Sequence, residues 1–440
     1  MDKKIGIVIC NYNKKQFVLS CIGSVLDSSR KDFDVYVVDN ASTDGSADAV
    51  KAAYGDRVIL IQNEENLGGS GGFNTGLRAA RQKGYPYYMC VDNDIVMDEH
   101  NIENLLRFLE DHPEVGIVGS KICRMQHPER LQELGARLDF EKCTHVPYYK
   151  DHLDNEDIPE VQDCDYVPAC SLMVRDEVID KIGVLPEENF IYWDDMEWCY
   201  KAKLAGYRVA AYRQAKVLHD MGTNSGDTYF STYYFWRNRI RFFARYTPKD
   251  QREAAMETLL ENVFQTMYGC YYKGKTNQIS IMMHALDDAI HHLTGKAAEG
   301  KILPKDTIED RVAGLFETYH NVVVEFNGDY KLLQDIVKKI QKAEAKVSLR
   351  IVSDDAEEVQ RQYPEYSVIK KEQVPSETFE DLSVLRLAMC EHVSKVEDHS
   401  LKKVYIDPYS NLLQNERDLQ HFAGYQYNRD LFVCMWKVLL

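Results

Sequence analysis

The stretch Tyr88-Met89-Cys90-Val91-Asp92-Asn93-Asp94-Ile95-Val96-Met97 ends one apolar run in two carboxylates and then begins another. Side chains of a strand alternate between its two faces, so Asp92 and Asp94 are expected to point the same way. Two like charges this close repel each other, and burial increases the repulsion, so a positive charge is expected beside them. A divalent cation meets that need, since Mg²⁺ and Mn²⁺ bind oxygen ligands and use one or two carboxylates. The alternative is a turn in which both side chains hydrogen-bond the backbone.

Short apolar runs alternate with helical patterns before this stretch. Strands are predicted at residues 5–10, 35–38 and 58–62, and helices are predicted at residues 17–26 and around Val50. Such a β-α-β-α-β order within about sixty residues is typical of a parallel sheet with right-handed crossovers. Polar clusters follow the strands, at the edge where such sheets bind their ligands. The sequence therefore predicts an α/β fold with a Rossmann-like, mostly parallel sheet.

A glycine-rich segment, Asn66-Leu67-Gly68-Gly69-Ser70-Gly71-Gly72-Phe73-Asn74, comes after the third predicted strand. Glycines let a backbone approach a ligand closely, and a helix predicted from Thr75 would direct its N-terminus at an anion. The segment matches neither the dinucleotide fingerprint G-x-G-x-x-G nor a Walker A loop. A flexible turn before the helix and a contact with a ligand are therefore both open interpretations.

A second acidic stretch is Phe190-Ile191-Tyr192-Trp193-Asp194-Asp195-Met196-Glu197-Trp198. Asp194 can be the N-cap of a helix, and Glu197 then completes a capping box, which leaves Asp195 unexplained. Adjacent carboxylates between two tryptophans also suit a sugar, because aromatic faces stack on sugar rings and acids accept hydroxyl protons. A later apolar run ends at His219, which is either a packed residue or a metal ligand.

Length and composition limit the classes of protein. The 440 residues allow two or three domains, and 45% hydrophobic and 28% charged residues are normal for a globular protein. The net charge of -17 argues against a nucleic-acid partner. The 11 cysteines form no C-x-x-C pair, which indicates reduced thiols in a cytoplasmic protein. The sequence carries neither a signal-peptide pattern nor a run of about 18 apolar residues.

The order of the motifs is distinctive: Asn-Tyr-Asn after the first strand, Val-Val-Asp-Asn-x-Ser-x-Asp-Gly, Asn-x-Gly-Gly, Asp-x-Asp, Trp-Asp-Asp-x-Glu and a final His. This order resembles inverting family 2 glycosyltransferases of the GT-A fold over residues 5–245. Within that family the glycine-rich segment and Phe-Ile-Tyr-Trp-Asp-Asp-Met-Glu are most similar to galactofuranosyltransferases, with rhamnosyltransferases next. The element Tyr233-Tyr234-Phe235-Trp236-Arg237-Asn238 also resembles one that those branches carry.

The resemblance implies a role for individual residues. The nucleotide would be held by Asn11, Asp39, Asn66, Gly68, Gly69 and Asp92, and a divalent metal, Mn²⁺ or Mg²⁺, by Asp92, Asp94 and His219. Asp195 would be the catalytic base, and Trp193 and Asp194 would bind the acceptor. Asn93 stands where some relatives have a third Asp, which leaves the metal preference open.

The implied reaction is a metal-dependent single displacement with inversion at the anomeric carbon. A sugar would pass from a nucleotide-sugar donor, UDP-galactofuranose ahead of dTDP-rhamnose, to a hydroxyl of a growing cell-surface glycan or lipid-linked acceptor at the inner face of the cell membrane. Two other classes stay open. A sugar-nucleotide nucleotidyltransferase would carry a glycine-rich basic loop where this chain has Asn11-Tyr12-Asn13-Lys14-Lys15, and a non-catalytic glycan-binding scaffold would bind no nucleotide with metal.

Three segments are predicted: a GT-A domain at residues 1–245, a helical extension at 246–318 and a small α/β domain at 319–440. In the last segment, predicted strands at 322–326, 349–352, 366–369 and 403–406 alternate with predicted helices at 330–345, 356–362 and 379–396. Its role is open between pairing of chains in a homo-oligomer, binding of acceptor and recruitment of a partner enzyme. Two basic and aromatic tracts, at 271–275 and at Arg237, Arg239, Arg241 and Arg245, are typical of solvated helix faces, and peripheral contact with an anionic membrane or a lipid diphosphate is the alternative.

Overall fold

The computed structural model describes residues 3–155, 157–220, 226–344, 346–373, 383–398 and 400–438. The chain divides into two compact units, unit 1 with Met1–Met256 and Ile281–Pro304 and unit 2 with Glu257–Ser280 and Lys305–Leu440. The predicted helical extension is thus divided between them, and the division into three segments stays a prediction. Across the described ranges, no helix has both the length and the apolar composition needed to cross a membrane.

Unit 1 alternates strands and helices along most of its length. In chain order its elements are β1 (Ile5–Asn11), α1 (Lys15–Leu26), β2 (Phe33–Asp39), α2 (Ser46–Tyr54), β3 (Ile59–Gln62), α3 (Gly68–Arg81), β4 (Tyr87–Asp92), β5 (Ile95–Met97), α4 (Asn101–Asp111), β6 (Val115–Arg124), β7 (His127–Glu133), β8 (Ala136–Asp139), β9 (Thr144–Pro147), β10 (Val161–Cys164), β11 (Ser171–Arg175), α5 (Asp176–Ile182), α6 (Asp194–Leu204), β12 (Arg208–His219) and α7 (Phe230–Tyr246). Helices α8 (Arg252–Lys273) and α9 (Thr276–Ile290) contribute residues to both units.

The main sheet of unit 1 has the strand order β10-β12-β6-β11-β4-β1-β2-β3. Strand β1 pairs in parallel with β2 and β4, β2 with β3, and β6 with β12. Strand β11 is antiparallel to β4 and β6, β10 is antiparallel to β12, and the short strand β5 joins the sheet antiparallel to β12. Parallel pairs therefore outnumber antiparallel ones along this order, and the predicted α/β class is confirmed.

Three predicted site residues end three neighbouring parallel strands. Asn11 is the last residue of β1, Asp39 of β2 and Asp92 of β4. The register pairs Asn11 with Asp39, and Cys10 with Asp92, so the strands end level with one another. Ligands of open α/β sheets bind at this carboxyl edge, and the candidate site lies there.

The helix predicted from Thr75 begins earlier, at Gly68, so the prediction of its start is wrong. The glycine-rich segment forms the first turns of α3 because this helix packs directly on β1. A Cβ atom added at Gly72 would lie 2.2 Å from the Sγ of Cys10, and one added at Gly76 would lie 2.3 Å from a methyl of Val8. These glycines are therefore needed for close contact between helix and strand.

The capping box, one of the two interpretations of the second acidic stretch, is absent at the start of α6. Trp193, with φ 67°, precedes the helix, and Asp194 is its first residue. The carboxylate of Glu197 instead accepts hydrogen bonds from the Nδ2 of Asn189 at 3.0 Å and the hydroxyl of Tyr246 at 2.8 Å. The local signal was overridden by tertiary partners for that acid.

Unit 2 forms its own α/β layer. Apart from the parts of α8 and α9, its elements are α10 (Arg311–Thr318), β13 (Asn321–Glu325), α11 (Tyr330–Lys342), β14 (Ser348–Ser353), α12 (Ala356–Gln362), β15 (Ser367–Lys370), β16 (Val384–Met389), β17 (Val404–Ile406), β18 (Leu412–Leu413), α13 (Glu416–Ala423) and α14 (Tyr425–Lys437). The strand order is β15-β14-β13-β16-β17-β18, with β13 to β17 parallel and β18 antiparallel.

The helix predicted at residues 379–396 is wrong over its described part. Residues 379–382 lie outside the described ranges, and Val384–Met389 forms the strand β16 between β13 and β17. Its buried residues Leu385, Leu387 and Met389 are spaced by two, which is the period of a strand. A short apolar run of this length is compatible with either a helix or a strand, and pairing with β13 and β17 decides for the strand.

Candidate active site

Asp92, Asp94 and His219 come together at the carboxyl edge of the unit 1 sheet. Each offers a ligand atom, and these atoms lie within 4.8 Å of one another. The cluster forms because β5, directly after Asp94, pairs antiparallel with the end of β12, which places His219 opposite Ile95. The Nε2 of His219 lies 3.3 Å from the Oδ1 of Asp94. The structure thus brings together the three residues predicted to bind metal.

Neighbouring groups fix the orientation of these ligands. The backbone N–H of Asp220 donates to the carbonyl oxygen of Asp94 at 3.1 Å. The Nδ1 of His219 lies 2.9 Å from the Oε1 of Gln132, an acceptor that places the ring proton on Nδ1 and leaves Nε2 to face Asp94. Sequence reasoning missed Gln132, because it lies on β7 in a segment without a motif.

Lys14 supplies a positive charge to the cluster. Its Nζ lies 2.5 Å from the Oδ2 of Asp94, and the Asp94 side chain is only 10% exposed. The signal that could have identified Lys14 is its position directly after the Asn-Tyr-Asn tripeptide that follows β1. The ammonium group of Lys14 therefore occupies a position beside Asp94 in which a cation is favoured.

The electrostatics of the cluster are asymmetric. Burial and the charge of Asp94 raise the pKa of Asp92 to about 6, against the opposing charges of His219 and Lys14. Burial also acts to raise the pKa of Asp94, but hydrogen bonds and charges from His219 and Lys14 outweigh it and lower the pKa. Burial acts to lower the pKa of His219, and the contact with Asp94 raises it overall. Asp94 is therefore held ionised, and Asp92 ionises more readily when a cation is near.

The donor set fits a divalent cation. Two carboxylates and one imidazole are ligands that Mn²⁺ and Mg²⁺ accept, with Mn²⁺ more tolerant of the nitrogen. The ring orientation set by Gln132 directs Nε2 at Asp94, so this nitrogen can bind a metal once it has lost its proton. Asp92, Asp94 and His219 can therefore hold the metal that the resemblance implied.

The residues predicted to bind the nucleotide form a hydrogen-bonded network next to this cluster. The Nδ2 of Asn11 donates to the Oδ1 of Asp39 at 3.2 Å, and the backbone N–H of Ser42 donates to the Oδ2 of Asp39 at 3.0 Å. The Nδ2 of Asn93 donates to the Oδ1 of Asn11 at 2.8 Å, which gives the middle residue of the Asp-x-Asp motif a structural contact. Asn11 and Asp39 are both nearly fully buried.

Asn66 and Gly68 are joined to this edge through Asn40, which directly follows β2. The Oδ1 of Asn66 accepts from the backbone N–H of Gly68 at 2.8 Å and from the Nδ2 of Asn40 at 3.0 Å. Asn40, which sequence reasoning missed, also donates to the carbonyl of Gly68 at 2.9 Å. Gly69 follows as the second residue of α3. As nucleotide contacts, these residues remain predictions.

Asp194 and Asp195 open helix α6. The Oδ2 of Asp194 accepts from the hydroxyl of Ser70 at 2.9 Å, so α6 and the glycine-rich start of α3 are joined. Asp195 accepts from the backbone N–H of Ala169 at 3.1 Å and of Met196 at 2.8 Å. Burial and the charge of Asp194 raise the pKa of Asp195 well above its usual range, with a contribution from Asp92. Asp195 therefore has the basicity that a proton acceptor needs.

Trp193 is buried among aromatic side chains. It is 1% exposed, and its ring centroid lies 5.3 to 5.9 Å from those of Phe235, Phe242 and Phe243. Its Nε1 has no hydrogen-bond partner within the part of the chain that the structure describes. The exposed aromatic residue beside it is Tyr192, at 39%. A role for Trp193 in binding the acceptor stays a prediction.

Glu133 is a buried acid that belongs to none of the sequence motifs. Its side chain is 7% exposed, and its Oε2 has no hydrogen-bond partner among the described residues. Burial raises the pKa of Glu133 to about 7, although the Nε2 of Gln132 lies 3.4 Å from Oε1 and His219 contributes an opposing charge. This carboxyl group lies close to the histidine of the acidic cluster.

Comparisons with known proteins agree with the sequence motifs. Residues 6–178 match the family model described as Glycosyl transferase family 2. An uncharacterized glycosyltransferase of Nostoc sp. is 24% identical over 194 residues, which cover 44% of this chain and 57% of that protein. Galactofuranosyltransferase GlfT2 of Mycolicibacterium smegmatis is 26% identical over 213 residues, 44% of this chain and 32% of that protein.

The chain thus spans little more than half of the first of these relatives and a third of the second. Among solved structures, mannosyltransferase PcManGT from Pyrobaculum calidifontis, in complex with GDP-Man and Mn²⁺, is 17% identical, with a TM-score of 0.41. That comparison covers 66% of this chain and 76% of the other.

Proposed function

We propose that this chain, which belongs to glycosyltransferase family 2 through residues 6–178, transfers a sugar from a nucleotide-sugar donor to an acceptor hydroxyl with the help of a divalent metal. The observation that carries the proposal is the convergence of Asp92, Asp94 and His219 within 4.8 Å, beside an aspartate of raised pKa. UDP-galactofuranose is the favoured donor, and dTDP-rhamnose is next. The acceptor is a growing cell-surface glycan or a lipid-linked glycan.

The nucleoside part of the donor would lie along the carboxyl edge of the sheet. Asn11 and Asp39 hold each other in place there, so the base meets a preorganised polar surface rather than mobile side chains. Asn66, Gly68 and Gly69 would border the other side. A divalent cation bound by Asp92, Asp94 and His219 would supply positive charge to the leaving diphosphate. Lys14 would be free to contact a phosphate oxygen once it leaves Asp94.

Asp195 would act as the general base of a single displacement. Its carboxylate accepts the proton of the acceptor hydroxyl while that oxygen attacks the anomeric carbon, and the bond to the diphosphate breaks on the opposite face. The N–H groups of Ala169 and Met196 hold the carboxylate in one orientation. Inversion of the anomeric configuration follows from this geometry of attack.

The first test is a thermal-shift and calorimetric comparison of UDP, dTDP and GDP, each with Mn²⁺, Mg²⁺ or EDTA. We expect UDP with Mn²⁺ to stabilise the wild type, by about 2.7 kcal/mol when the free ligand is at about 100 times its Kd. Asp94→Asn and His219→Ala should abolish the part of this stabilisation that depends on the metal. Asp220→Asn is the matched control, because Asp220 adjoins His219 and is buried but bonds Gln126 and offers no ligand atom to the cluster.

The second test follows the product. NMR of the transferred sugar should show inverted anomeric configuration, and retention would refute the single displacement. Indifference of the wild type to every nucleotide would instead favour a non-catalytic glycan-binding scaffold. Synthesis of a nucleotide sugar from a nucleoside triphosphate and a sugar phosphate would favour a nucleotidyltransferase.

A further inference from the structure

We propose that Arg237 and Asn238 of α7 are positioning residues, which hold a strained turn at residues 189–193 in the one conformation that places Asp194 and Asp195. The catalytic meaning of this inference rests on the proposed function, in which Asp195 is the base. The two side chains touch neither the acidic cluster nor Asp195; they act through the backbone of the turn that leads into α6.

The turn at residues 189–193 contains three non-glycine residues with positive φ. Phe190 has φ 66° and ψ -54°, and the N–H of Ile191 donates to the carbonyl of Asn189 at 2.8 Å. This is the rare form of γ-turn in which an L-residue is strained. Tyr192, at φ 63°, and Trp193, at φ 67°, follow directly in the left-handed region. Strain of this kind persists only where surrounding contacts enforce it, and it clusters at functional sites.

Asn238 enforces the turn through its amide group. The Nδ2 lies within hydrogen-bond distance of three backbone carbonyls, those of Asn189 at 2.8 Å, Ile191 at 2.9 Å and Tyr192 at 2.9 Å. Its Oδ1 accepts from the Nε of Arg237 at 3.0 Å, which determines the orientation of the amide, since that Nε can only donate. The side chain is 1% exposed, so water does not replace these contacts.

The solvated face predicted for Arg237 and Arg239 is wrong, because both side chains are buried, and Arg237 adds a second set of contacts to the turn from the same helix. Its Nη2 donates to the carbonyl of Asn189 at 3.1 Å, and its Nη1 donates to the carbonyl of Gly295 at 2.8 Å. The guanidinium lies 4.9 Å from the ring centroid of Tyr234 and 5.3 Å from that of Tyr233. A buried charge is costly unless it is fully hydrogen-bonded. Here its donors go to the side-chain oxygen of Asn238 and to backbone oxygens, which an apolar side chain of equal size could not bind.

The turn also contacts the predicted nucleotide side of the site. The carbonyl of Phe190 accepts from the N–H of Ser70 at 3.2 Å, and a Cβ atom added at Gly68 would lie 2.1 Å from that carbonyl oxygen. The hydroxyl of Ser70 then donates to Asp194. A displacement of the turn would therefore move the base and the glycine-rich start of α3 relative to each other.

The experiment compares Asn238→Leu with Asn101→Leu in the full chain. Leucine keeps the approximate volume of asparagine and removes the donors to the turn. Asn101→Leu is the matched control, since Asn101 is as fully buried, at the start of α4, and its amide donates to the hydroxyl of Ser120 and the carbonyl of Lys216 instead of the turn. Each variant is measured for Tm, for the Kd of UDP with Mn²⁺, and for hydrogen exchange of the peptide that contains residues 189–193. Release of nucleoside diphosphate is followed with UDP-galactofuranose, dTDP-rhamnose, UDP-galactose and UDP-glucose.

We expect Asn238→Leu to lower kcat about 100-fold, as a displacement near 1 Å does, to leave the Kd of UDP with Mn²⁺ unchanged, and to accelerate exchange at residues 189–193. Asn101→Leu should keep kcat at a comparable Tm. Unchanged kcat in Asn238→Leu, or equal losses of kcat in both variants, would overturn the inference. If the wild type turns over no nucleotide sugar, the proposed function fails separately. Hydrogen exchange at residues 189–193 then decides whether Asn238 holds the turn. Equal exchange rates in Asn238→Leu and the wild type would overturn the inference that it does.

Discussion

Replacement of Glu133 by glutamine tests whether a buried, incompletely paired acid lies beside the candidate site. Glu133 ends β7, is 7% exposed, and has one carboxyl oxygen without a partner among the described residues. Burial raises its pKa from 4.5 to about 7. The folded protein therefore binds a proton that the unfolded chain has released, at every pH between these two values.

The magnitude follows from that difference in pKa. A change from 4.5 to about 7 corresponds to about 3 kcal/mol, since a pKa change of one is worth about 1.4 kcal/mol. Because the folded state holds more protons, the free energy of unfolding falls as the pH rises from 4.5 to about 7 and then stays low. Glutamine cannot ionise. Relative to the wild type, Glu133→Gln should therefore be more stable at pH 8 than at pH 4.5 by about 3 kcal/mol.

The assay is urea unfolding at several pH values, followed by tryptophan fluorescence in a Trp436→Phe background. The remaining tryptophans, Trp193, Trp198 and Trp236, all belong to unit 1, so the signal reports that unit. Glu129→Gln is the control, because Glu129 lies on the same strand and is exposed. Any constant cost of burying the amide cancels when pH values are compared. A stability difference that does not change with pH, or that falls as the pH rises, would refute the reasoning.

Three further predictions concern the site. Lys14→Met should strengthen Mn²⁺ binding without nucleotide about fivefold by calorimetry, because a partly exposed ion pair with Asp94 contributes up to about 1 kcal/mol. Gly68→Ala should lose more stability than Gly84→Ala. Both glycines have positive φ, so alanine costs about 1 kcal/mol at either position. Only at Gly68 would the added methyl group also clash with the backbone of Phe190, which adds about 1 to 3 kcal/mol. Asp195→Asn should lower kcat by about 10² to 10⁴ and keep affinity for UDP with Mn²⁺.

Each of these has a contrary outcome. Weaker Mn²⁺ binding in Lys14→Met would show that the lysine does not compete with the metal. Equal losses of stability in the two glycine variants would mean that the turn yields to the added methyl group. The wild-type rate should also rise with pH above the usual range of aspartate, because the raised pKa of Asp195 keeps the base protonated at lower pH. A rate that falls over that range, or a near-normal kcat in Asp195→Asn, would contradict the role of Asp195 as a base.

The local elements of unit 1 could be predicted because they depend on near neighbours in sequence. The apolar runs that became β1 and β2 and the helical spacing of α1 gave the correct element types. Where a tertiary contact decided the outcome, prediction failed. The glycine-rich residues before Thr75 favour a turn or a ligand contact by sequence, and they are helical because α3 packs against Cys10 and Val8. The run that forms β16 is predicted as a helix from its sequence, but it lies inside a parallel sheet.

The sequence by itself determined the chemistry that was available: two acids spaced by one residue, a second acidic pair before a helix, and a histidine at the end of an apolar run. Only the tertiary structure decided which of these groups meet. Asp94 and His219 are far apart in the chain, and they become neighbours because β5 pairs antiparallel with β12. Likewise, the contacts of Arg237 and Asn238 with the strained turn require helix packing. Pairing between distant segments depends on the whole folded core, and no local pattern of residues contains it.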